Sequence, residues 1–217
     1  MGEILAGAVL FDKDGVLLDT MAMIRSAWTD WAIKRGIDAD EVMASIHMTA
    51  YELLARFAPA ADPTTEIREI AAMQAVLEPS ISAFPGAAEL LRTMPEDAWA
   101  IVTSARRQAA TRHLTAAGLP VPRVLIAAED TPRGKPDPSG YLLAAQRLGA
   151  PPRDCIVVED VPAGIRAGRA AGMFVIAIAT THPAEDLGDA DAVLPSLSAL
   201  QARSEDGRLR VSWRTAP

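Results

Sequence analysis

Two carboxylates stand two residues apart near the start of the chain, directly after a short apolar run. The run at residues 8–11 is typical of a buried strand, and Asp12 and Asp14 follow it. In an open α/β sheet, ligands bind at the carboxyl ends of the strands. Carboxylates this close raise each other's pKa, and a divalent cation between them would relieve the repulsion. The pair therefore offers a metal ligand, a nucleophile and a proton donor, although Asp-Gly is also a common turn dipeptide.

Three later segments place polar side chains at or just after other predicted strands. Thr103 and Ser104 end one strand, where a hydroxyl and backbone N–H groups could hold an oxyanion. Lys135 follows another strand, and two prolines fix the backbone around it, so it could be a positioned charge for phosphate. Glu159 and Asp160 end a further strand and carry the oxygen ligands that Mg²⁺ prefers.

Each of these features also has an ordinary structural explanation. Thr103 and Ser104 could cap the following helix, Lys135 could be a solvated loop lysine, and Asp160 could cap the helix that Pro162 opens. Together, however, a carboxylate pair, a hydroxyl, a lysine and a second acidic pair at one end of one sheet make a complete phosphoryl-transfer site. We therefore interpret them as one catalytic centre.

The elements that must position these groups alternate between strand and helix. Five short apolar runs have the length and content of buried strands. They lie at residues 8–11, 99–103, 124–127, 155–159 and 174–178. Helical patterns separate the later runs, so the sequence predicts an α/β fold with a Rossmann-like, doubly wound parallel sheet. The tail around Asp206 and Gly207 predicts a small hairpin at about residues 202–213.

A helical block follows the first strand. Residues 16–82 show several helical patterns and no convincing strand, and Thr20 stands where it could cap the first helix. We therefore expect two domains: an α/β core of residues 1–15 and 83–217, and an inserted all-helical cap of residues 16–82.

The composition limits the classes of partner. The 217 residues are 50% apolar and 23% charged, which fits one sizeable core with an inserted domain. The net charge of −7 argues against nucleic acid and acidic membranes as partners. Cys155, the single cysteine, allows no intrachain disulfide and is interpreted as an inert core residue. No signal pattern and no run of ~20 apolar residues is present, so we expect a cytoplasmic protein.

The chain resembles the haloacid dehalogenase superfamily, in the branch of phosphatases with a helical cap after the first strand. The matching segments are residues 11–20 (FDKDGVLLDT), 101–104 (IVTS), 134–138 (GKPDP) and 158–165 (VEDVPAGI). Within that branch it looks most like bacterial sugar phosphatases, yeast glycerol-3-phosphate and 2-deoxyglucose-6-phosphate phosphatases, and β-phosphoglucomutase-like proteins.

Two residues depart from the pattern of that branch. Met48 and Ala105 stand where the branch usually has glycine, beside the entrance of the site and next to the phosphate loop. Neither departure removes a catalytic group. Both could reshape the pocket that holds the substrate.

The resemblance implies a role for each acidic residue. Asp12 would attack phosphorus and form an aspartyl-phosphate. Asp14 would protonate the leaving alcohol and then activate water. Mg²⁺ would be bound by the Asp12 carboxylate, the Asp14 backbone carbonyl and Asp160. Glu159 would be a further metal ligand or a neighbour of the ligands, and we favour the second alternative.

The resemblance also implies a phosphate site and a substrate class. Thr103, the Ser104 N–H and Lys135 would hold the transferred oxygens. The substrate would be a small phosphorylated sugar or polyol under the cap, with His47 and Arg106 as candidate contacts, although His47 could equally be a structural histidine. A sugar-phosphate mutase and a non-enzymatic binding protein are the alternatives. We expect a monomer, with a dimer as the alternative.

Overall fold

The computed structural model describes residues 1–215, in which strands and helices alternate. The strands are β1 Gly2–Ala6, β2 Ala8–Phe11, β3 Leu18–Asp19, β4 Ser82–Ala83, β5 Trp99–Val102, β6 Leu125–Ile126, β7 Cys155–Glu159, β8 Phe174–Ile178, β9 Ala192–Leu194, β10 Leu200–Glu205 and β11 Arg208–Trp213. The helices are α1 Met21–Lys34, α2 Ala39–Ala44, α3 Ala50–Phe57, α4 Pro63–Leu77, α5 Ala87–Thr93, α6 Arg107–Ala116, α7 Ser139–Leu148 and α8 Pro162–Ala170. No helix in this described range is both long and apolar enough to cross a bilayer.

The central sheet has six parallel strands in the order β6-β5-β2-β7-β8-β9. Alternate residues of β2 face opposite sides, as the period of a strand requires. Val9 and Phe11 pack in the cluster that includes residues of α5 and α6, whereas Ala8 and Leu10 pack in the cluster that includes residues of α7 and α8. The sheet is therefore covered on both faces, and the predicted α/β fold class is confirmed. The carboxyl ends of its strands share one edge, where such folds bind ligands.

A second sheet joins the two ends of the chain. Strands β10 and β11 form an antiparallel hairpin, and β1 pairs with the other edge of β11. The hairpin lies in the region that the sequence analysis assigned to one, whereas β1 was missed. Exposed and partly buried residues alternate in β1, and Gly2–Ala6 is too short and mixed to show a strand pattern by itself.

The four helices α1–α4 have an apolar cluster of their own. Trp28 and Trp31 of α1 are buried in it, with ring centroids 5.3 Å apart and nearly perpendicular planes. The Trp31 indole N–H donates to Glu66 Oε2 at 2.6 Å, which satisfies its polar atom inside the cluster. We keep the division into a core and a cap of residues 16–82 as a proposal, which this separate cluster supports.

A two-stranded ribbon lies where the chain enters and leaves the helical block. Leu18 pairs with Ala83, and Asp19 pairs with Ser82. The prediction that residues 16–82 contain no strand was therefore wrong. Two-residue strands carry no period that a sequence can show, and their pairing joins positions more than 60 residues apart.

Candidate active site

The loop after β2 turns sharply against the end of β7. The Asp12 N–H donates to Val158 O at 2.9 Å, so the loop begins in register with β7. Gly15 has φ +85°, and a Cβ atom there would lie 2.0 Å from Asp160 Oδ2. Only glycine suits this position, because both the backbone conformation and the space exclude a side chain. The turn therefore brings Asp12 and Gly15 beside Asp160.

Three carboxylates meet at this edge of the sheet. Asp12, Glu159 and Asp160 are buried, and each offers an oxygen within 4.8 Å of the others. Burial raises the pKa of Asp12 to about 7; the Lys135 ammonium opposes the rise, and nearby carboxylates add to it. Burial and the charges of Asp12 and Glu159 also raise the pKa of Asp160 well above its usual range. A divalent cation between these carboxylates would stabilise their ionised forms and so offset the effects of burial and mutual repulsion.

The oxygens of Asp160 show that a cation fits here. The Thr181 hydroxyl donates to Asp160 Oδ2. Oδ1 is buried and has no hydrogen-bond partner among residues 1–215. A buried carboxylate oxygen without a donor is costly unless an ion or water reaches it. The donor set consists of hard oxygens, which suits Mg²⁺. Asp12 and Asp160 thus fit the predicted metal site, whose Asp14 carbonyl ligand and metal identity stay predictions.

Both carboxylate oxygens of Glu159 accept hydrogen bonds from other groups of the protein. Its Oε1 accepts from the Tyr141 hydroxyl at 2.7 Å and lies 2.5 Å from Lys135 Nζ. Its Oε2 accepts from the Asp160 N–H at 3.0 Å. A Cβ atom at Gly164 would lie 1.8 Å from Oε1, so the glycine makes room for this carboxylate. These contacts favour the interpretation in which Glu159 positions Lys135. They argue against Glu159 as a metal ligand.

Lys135 reaches from the β6–α7 connection into the same cluster. Its Nζ pairs with Asp12 Oδ1 and donates to Val102 O at 3.3 Å. Burial favours the neutral amine, but the charges of Asp12 and Glu159 outweigh burial and raise the pKa of Lys135 well above its usual value. Lys135 is therefore a fixed ammonium beside the candidate nucleophile, not a solvated loop lysine.

Asp14 is held away from the three-carboxylate cluster. Its carboxylate pairs with Lys13 and accepts from the Thr20 hydroxyl at 2.5 Å. Burial opposes ionisation of Asp14, but the Lys13 charge and these hydrogen bonds outweigh it and lower its pKa. Thr20 does precede α1 as predicted, but its side chain does not cap that helix. The capping interpretation was wrong because Asp14 takes the hydroxyl.

Thr103 and Ser104 lie beside Asp14 at the end of β5. Thr103 Oγ1 accepts from the Ala105 N–H at 3.1 Å and lies 3.5 Å from Asp14 Oδ2. The Ser104 hydroxyl donates to the backbone oxygen of His47 at 3.1 Å, which links this loop to the cap. Neither side chain caps α6, whose N-cap residue is Arg106. Their predicted role in holding phosphate oxygens is compatible with this placement.

A pocket of about 130 Å³ opens from Asp14 between the cap and the core. Trp28 and Leu53 line it from the cap. Met48 and Ala105, the two departures from the family pattern, line it as well. The lining is largely apolar, and Met48 occupies space that a glycine would leave open. Both departures therefore change the volume of this pocket.

The two nominated substrate contacts lie in different clefts. Arg106 lines the Asp14 pocket, and its Nε donates to Glu129 Oε1 at 3.0 Å. His47 lines a separate cleft on the other side of Ile46, next to Thr181. Both nominations stay predictions, and the structure does not bring the two residues together.

Sequence reasoning missed several residues that shape the site. Lys13 lies fully buried with Nζ 3.4 Å from His113 Nδ1, although a lysine between two aspartates gives no signal of burial in the sequence. Thr181 lies in the loop after β8, so a polar residue shortly after a strand was an available signal. Tyr141 gave no signal, because its contact with Glu159 depends on how α7 packs on the sheet.

Comparisons with known proteins agree on one family. The family of haloacid dehalogenase-like hydrolases matches residues 6–172. The chain is 40% identical over 194 residues to hexitol phosphatase A of Escherichia coli, covering 87% of this chain and 90% of that protein. It is 35% identical over 188 residues to glycerol-1-phosphate phosphohydrolase 2 of Saccharomyces cerevisiae, covering 80% and 75%.

A solved structure agrees with the sequence relatives. CbbY from Rhodobacter sphaeroides, crystallised with phosphate, superposes with a TM-score of 0.75 at 26% identity. The match covers 89% of this chain and 95% of that one. The predicted resemblance is thereby confirmed. The chain belongs to the haloacid dehalogenase-like hydrolases and, within them, to the phosphoric monoester hydrolases.

Proposed function

We propose that this chain is a Mg²⁺-dependent phosphatase that hydrolyses small phosphorylated sugars or polyols through an aspartyl-phosphate. One observation carries the proposal: buried Asp12 pairs with the Lys135 ammonium and shares a cluster with Asp160, one oxygen of which has no partner within residues 1–215. A cation bound at that oxygen would give the Asp12 carboxylate a second neighbouring positive charge, which suits attack on an anionic phosphate. The names of the hexitol and glycerol phosphatases support the substrate class.

The reaction would proceed in two displacements. In the first, the Asp12 carboxylate attacks phosphorus, the ester P–O bond breaks and the leaving alkoxide takes a proton from Asp14. In the second, water loses a proton to Asp14 and attacks the same phosphorus, which releases phosphate and regenerates Asp12. Thr103, Ser104 and Lys135 would hold the transferred oxygens throughout. Asp14 must leave Lys13 and Thr20 to act, so its present contacts describe a resting state.

A bound Mg²⁺, held by Asp12, Asp160 and the Asp14 carbonyl, would neutralise charge between nucleophile and phosphate. Chelation should therefore abolish turnover, and added Mg²⁺ should restore it. Ca²⁺ should restore it poorly, because it tolerates longer bonds and higher coordination numbers than Mg²⁺ does. Phosphate release before and after exhaustive chelation measures this dependence of turnover on the cation. Full activity in the chelated protein would contradict the metal site.

The cap pocket suits a small, amphipathic leaving group. Trp28 and Leu53 offer an apolar wall for the C–H face of a sugar or polyol, while Gln74, Ser104 and Arg106 supply polar groups in the same lining. A buried hydroxyl needs such partners, because unpaired polar groups are costly to bury. Closure of the cap would then exclude bulk water from the reacting phosphate.

A panel of phosphate esters tests the proposed function. Phosphate release should be fastest for hexose phosphates, hexitol phosphates or glycerol 3-phosphate, and slower for phosphopeptides. A preference for phosphopeptides over every sugar or polyol phosphate would reject the substrate class. A mutase would instead convert one sugar phosphate into its isomer with little free phosphate, which analysis of the sugar products distinguishes.

The cellular setting forms part of the same proposal. Cys155 is buried and its pKa is raised by burial to about 11, which fits an inert thiol. A single unreactive cysteine is compatible with a reducing compartment such as the cytoplasm. We propose a cytoplasmic monomer that acts on a small-molecule ester.

A further inference from the structure

The cleft that contains His47 is lined by basic groups. It has a volume of about 260 Å³ and lies between α1, the segment before α3, the start of α8 and the loop after β8. Its titratable lining residues are Arg25, His47, Arg166 and His182. No carboxylate lines it within residues 1–215, although the whole chain carries a net charge of −7. The cleft is therefore a local concentration of positive charge in an acidic protein.

The charges in this cleft are not used inside the fold. Arg169 on the same helix pairs with Asp191 at 3.1 Å, whereas neither Arg25 nor Arg166 forms an ion pair in the described chain. Burial and the Arg166 charge lower the pKa of His47, and the nearby Glu52 carboxylate opposes them in part. Arg25 and Arg166 are therefore two cations in one cleft without counter-ions among the described residues, which is the usual composition of an anion site.

The cleft adjoins the reaction centre. Thr181 lines the cleft, and its hydroxyl donates to Asp160 Oδ2 and lies 3.0 Å from His182 Nδ1. On the cap side, the His47 backbone oxygen accepts from Ser104 of the candidate phosphate loop. A ligand in the cleft would therefore contact Thr181 and His47. Thr181 is hydrogen-bonded to Asp160 of the candidate metal site, and His47 is hydrogen-bonded to Ser104 of the candidate phosphate loop.

We propose that this cleft is a second oxyanion subsite, which binds a phosphate or carboxylate group through Arg25, His47 and Arg166. Arginine suits this task because its fork donates two hydrogen bonds to one oxyanion. The group has two sources: a second anionic substituent on the substrate, which rests on the proposed phosphatase function, or free inorganic phosphate. In either case it is distinct from the phosphate that Asp12 would attack.

Two glutamine substitutions and a matched control test the subsite. Arg25→Gln and Arg166→Gln remove one charge each from exposed side chains, so the fold should survive. Arg68→Gln makes the same change on an exposed arginine of α4 that does not line the cleft. Melting temperatures of all three should match wild type. If the melting temperature of one cleft variant drops substantially, the other cleft variant is used to test the subsite.

The first measurement is calorimetric titration of inorganic phosphate into the chelated protein. Without a cation, the three carboxylates of the reaction centre disfavour phosphate there, whereas the cleft keeps its charge. We expect wild type and Arg68→Gln to bind phosphate equally, and each cleft variant to bind about tenfold or more weakly, as loss of a charge-assisted contact implies.

The second measurement compares kcat/KM for glycerol 3-phosphate with that for 3-phosphoglycerate, which adds a carboxylate. If the substrate supplies the anion, the cleft variants should lose about tenfold or more on 3-phosphoglycerate and little on glycerol 3-phosphate. If free phosphate is the ligand, both substrates should be affected equally while phosphate binding is still lost. Either result supports the subsite and identifies its source.

The subsite is overturned if both cleft variants behave as Arg68→Gln in both measurements. Failure of the proposed function looks different. In that case wild type releases no phosphate from any ester, yet the calorimetric comparison still decides whether the cleft binds an oxyanion.

Discussion

Asp12→Asn is expected to lower turnover by at least roughly 10⁴-fold, the scale of loss when a catalytic nucleophile is removed. The amide is nearly isosteric, but its nitrogen and neutral oxygen neither attack phosphorus nor bind Mg²⁺ well. Lys135 keeps Glu159 as a counter-ion in the variant, so the buried ammonium is not left unpaired. Steady-state phosphate release with saturating Mg²⁺ measures the effect.

The control for this variant is Asp30→Asn, which makes the same chemical change on the exposed face of α1. It should retain wild-type turnover. Asp12→Asn should unfold cooperatively near the wild-type temperature, which shows that any loss is chemical. Turnover of the folded Asp12→Asn protein close to that of wild type would mean that the nucleophile is assigned to the wrong residue.

Asp14→Asn is expected to lower turnover of glycerol 3-phosphate by roughly 10²–10⁴-fold, the range for loss of a general acid and base. The loss should be much smaller for 4-nitrophenyl phosphate, since its leaving group departs without a proton. Thr20 can hydrogen-bond an amide as it does the carboxylate, but the buried Lys13 loses its counter-ion, so the melting temperature of the variant is measured beside its turnover. The ratio of kcat values for the two esters measures the acid role.

Equal losses on the alkyl and aryl esters would contradict that role. They would point instead to a positional function of Asp14, for example through its backbone carbonyl. Thr20→Val offers an independent comparison, because it removes one hydrogen bond to the Asp14 side chain without removing the carboxyl group. Its effect on the alkyl ester should be well below that of Asp14→Asn.

The central sheet could be predicted because its strands are buried on both faces. Residues of β7 and β8 form continuous apolar runs, and both strands occupy the positions that the sequence indicated. The shorter elements β3 and β9 were missed. They have two and three residues, and pairing with another strand rather than a local pattern defines them.

The main groups of the candidate site also followed from local rules. Asp12, Thr103 and Asp160 each follow a strand of one parallel sheet, so their loops had to meet at one edge. The contacts that these side chains make could not be predicted from such rules. The sequence could not show that Lys13 and Thr20 hold Asp14, because those contacts depend on the local path of the turn.

The sequence by itself determined the α/β class, the helical insertion and the positions of the groups that we propose for phosphoryl transfer, because hydrophobic period and strand-end position are local properties. Only the tertiary structure decided that Glu159 holds Lys135, that Arg106 and His47 face different clefts, and that four basic residues share one of them. These relations depend on how the cap docks on the core. Contacts such as Glu52 Oε1 with the Gly134 N–H at 2.9 Å fix that docking, and they join residues 82 positions apart, beyond the reach of any local pattern.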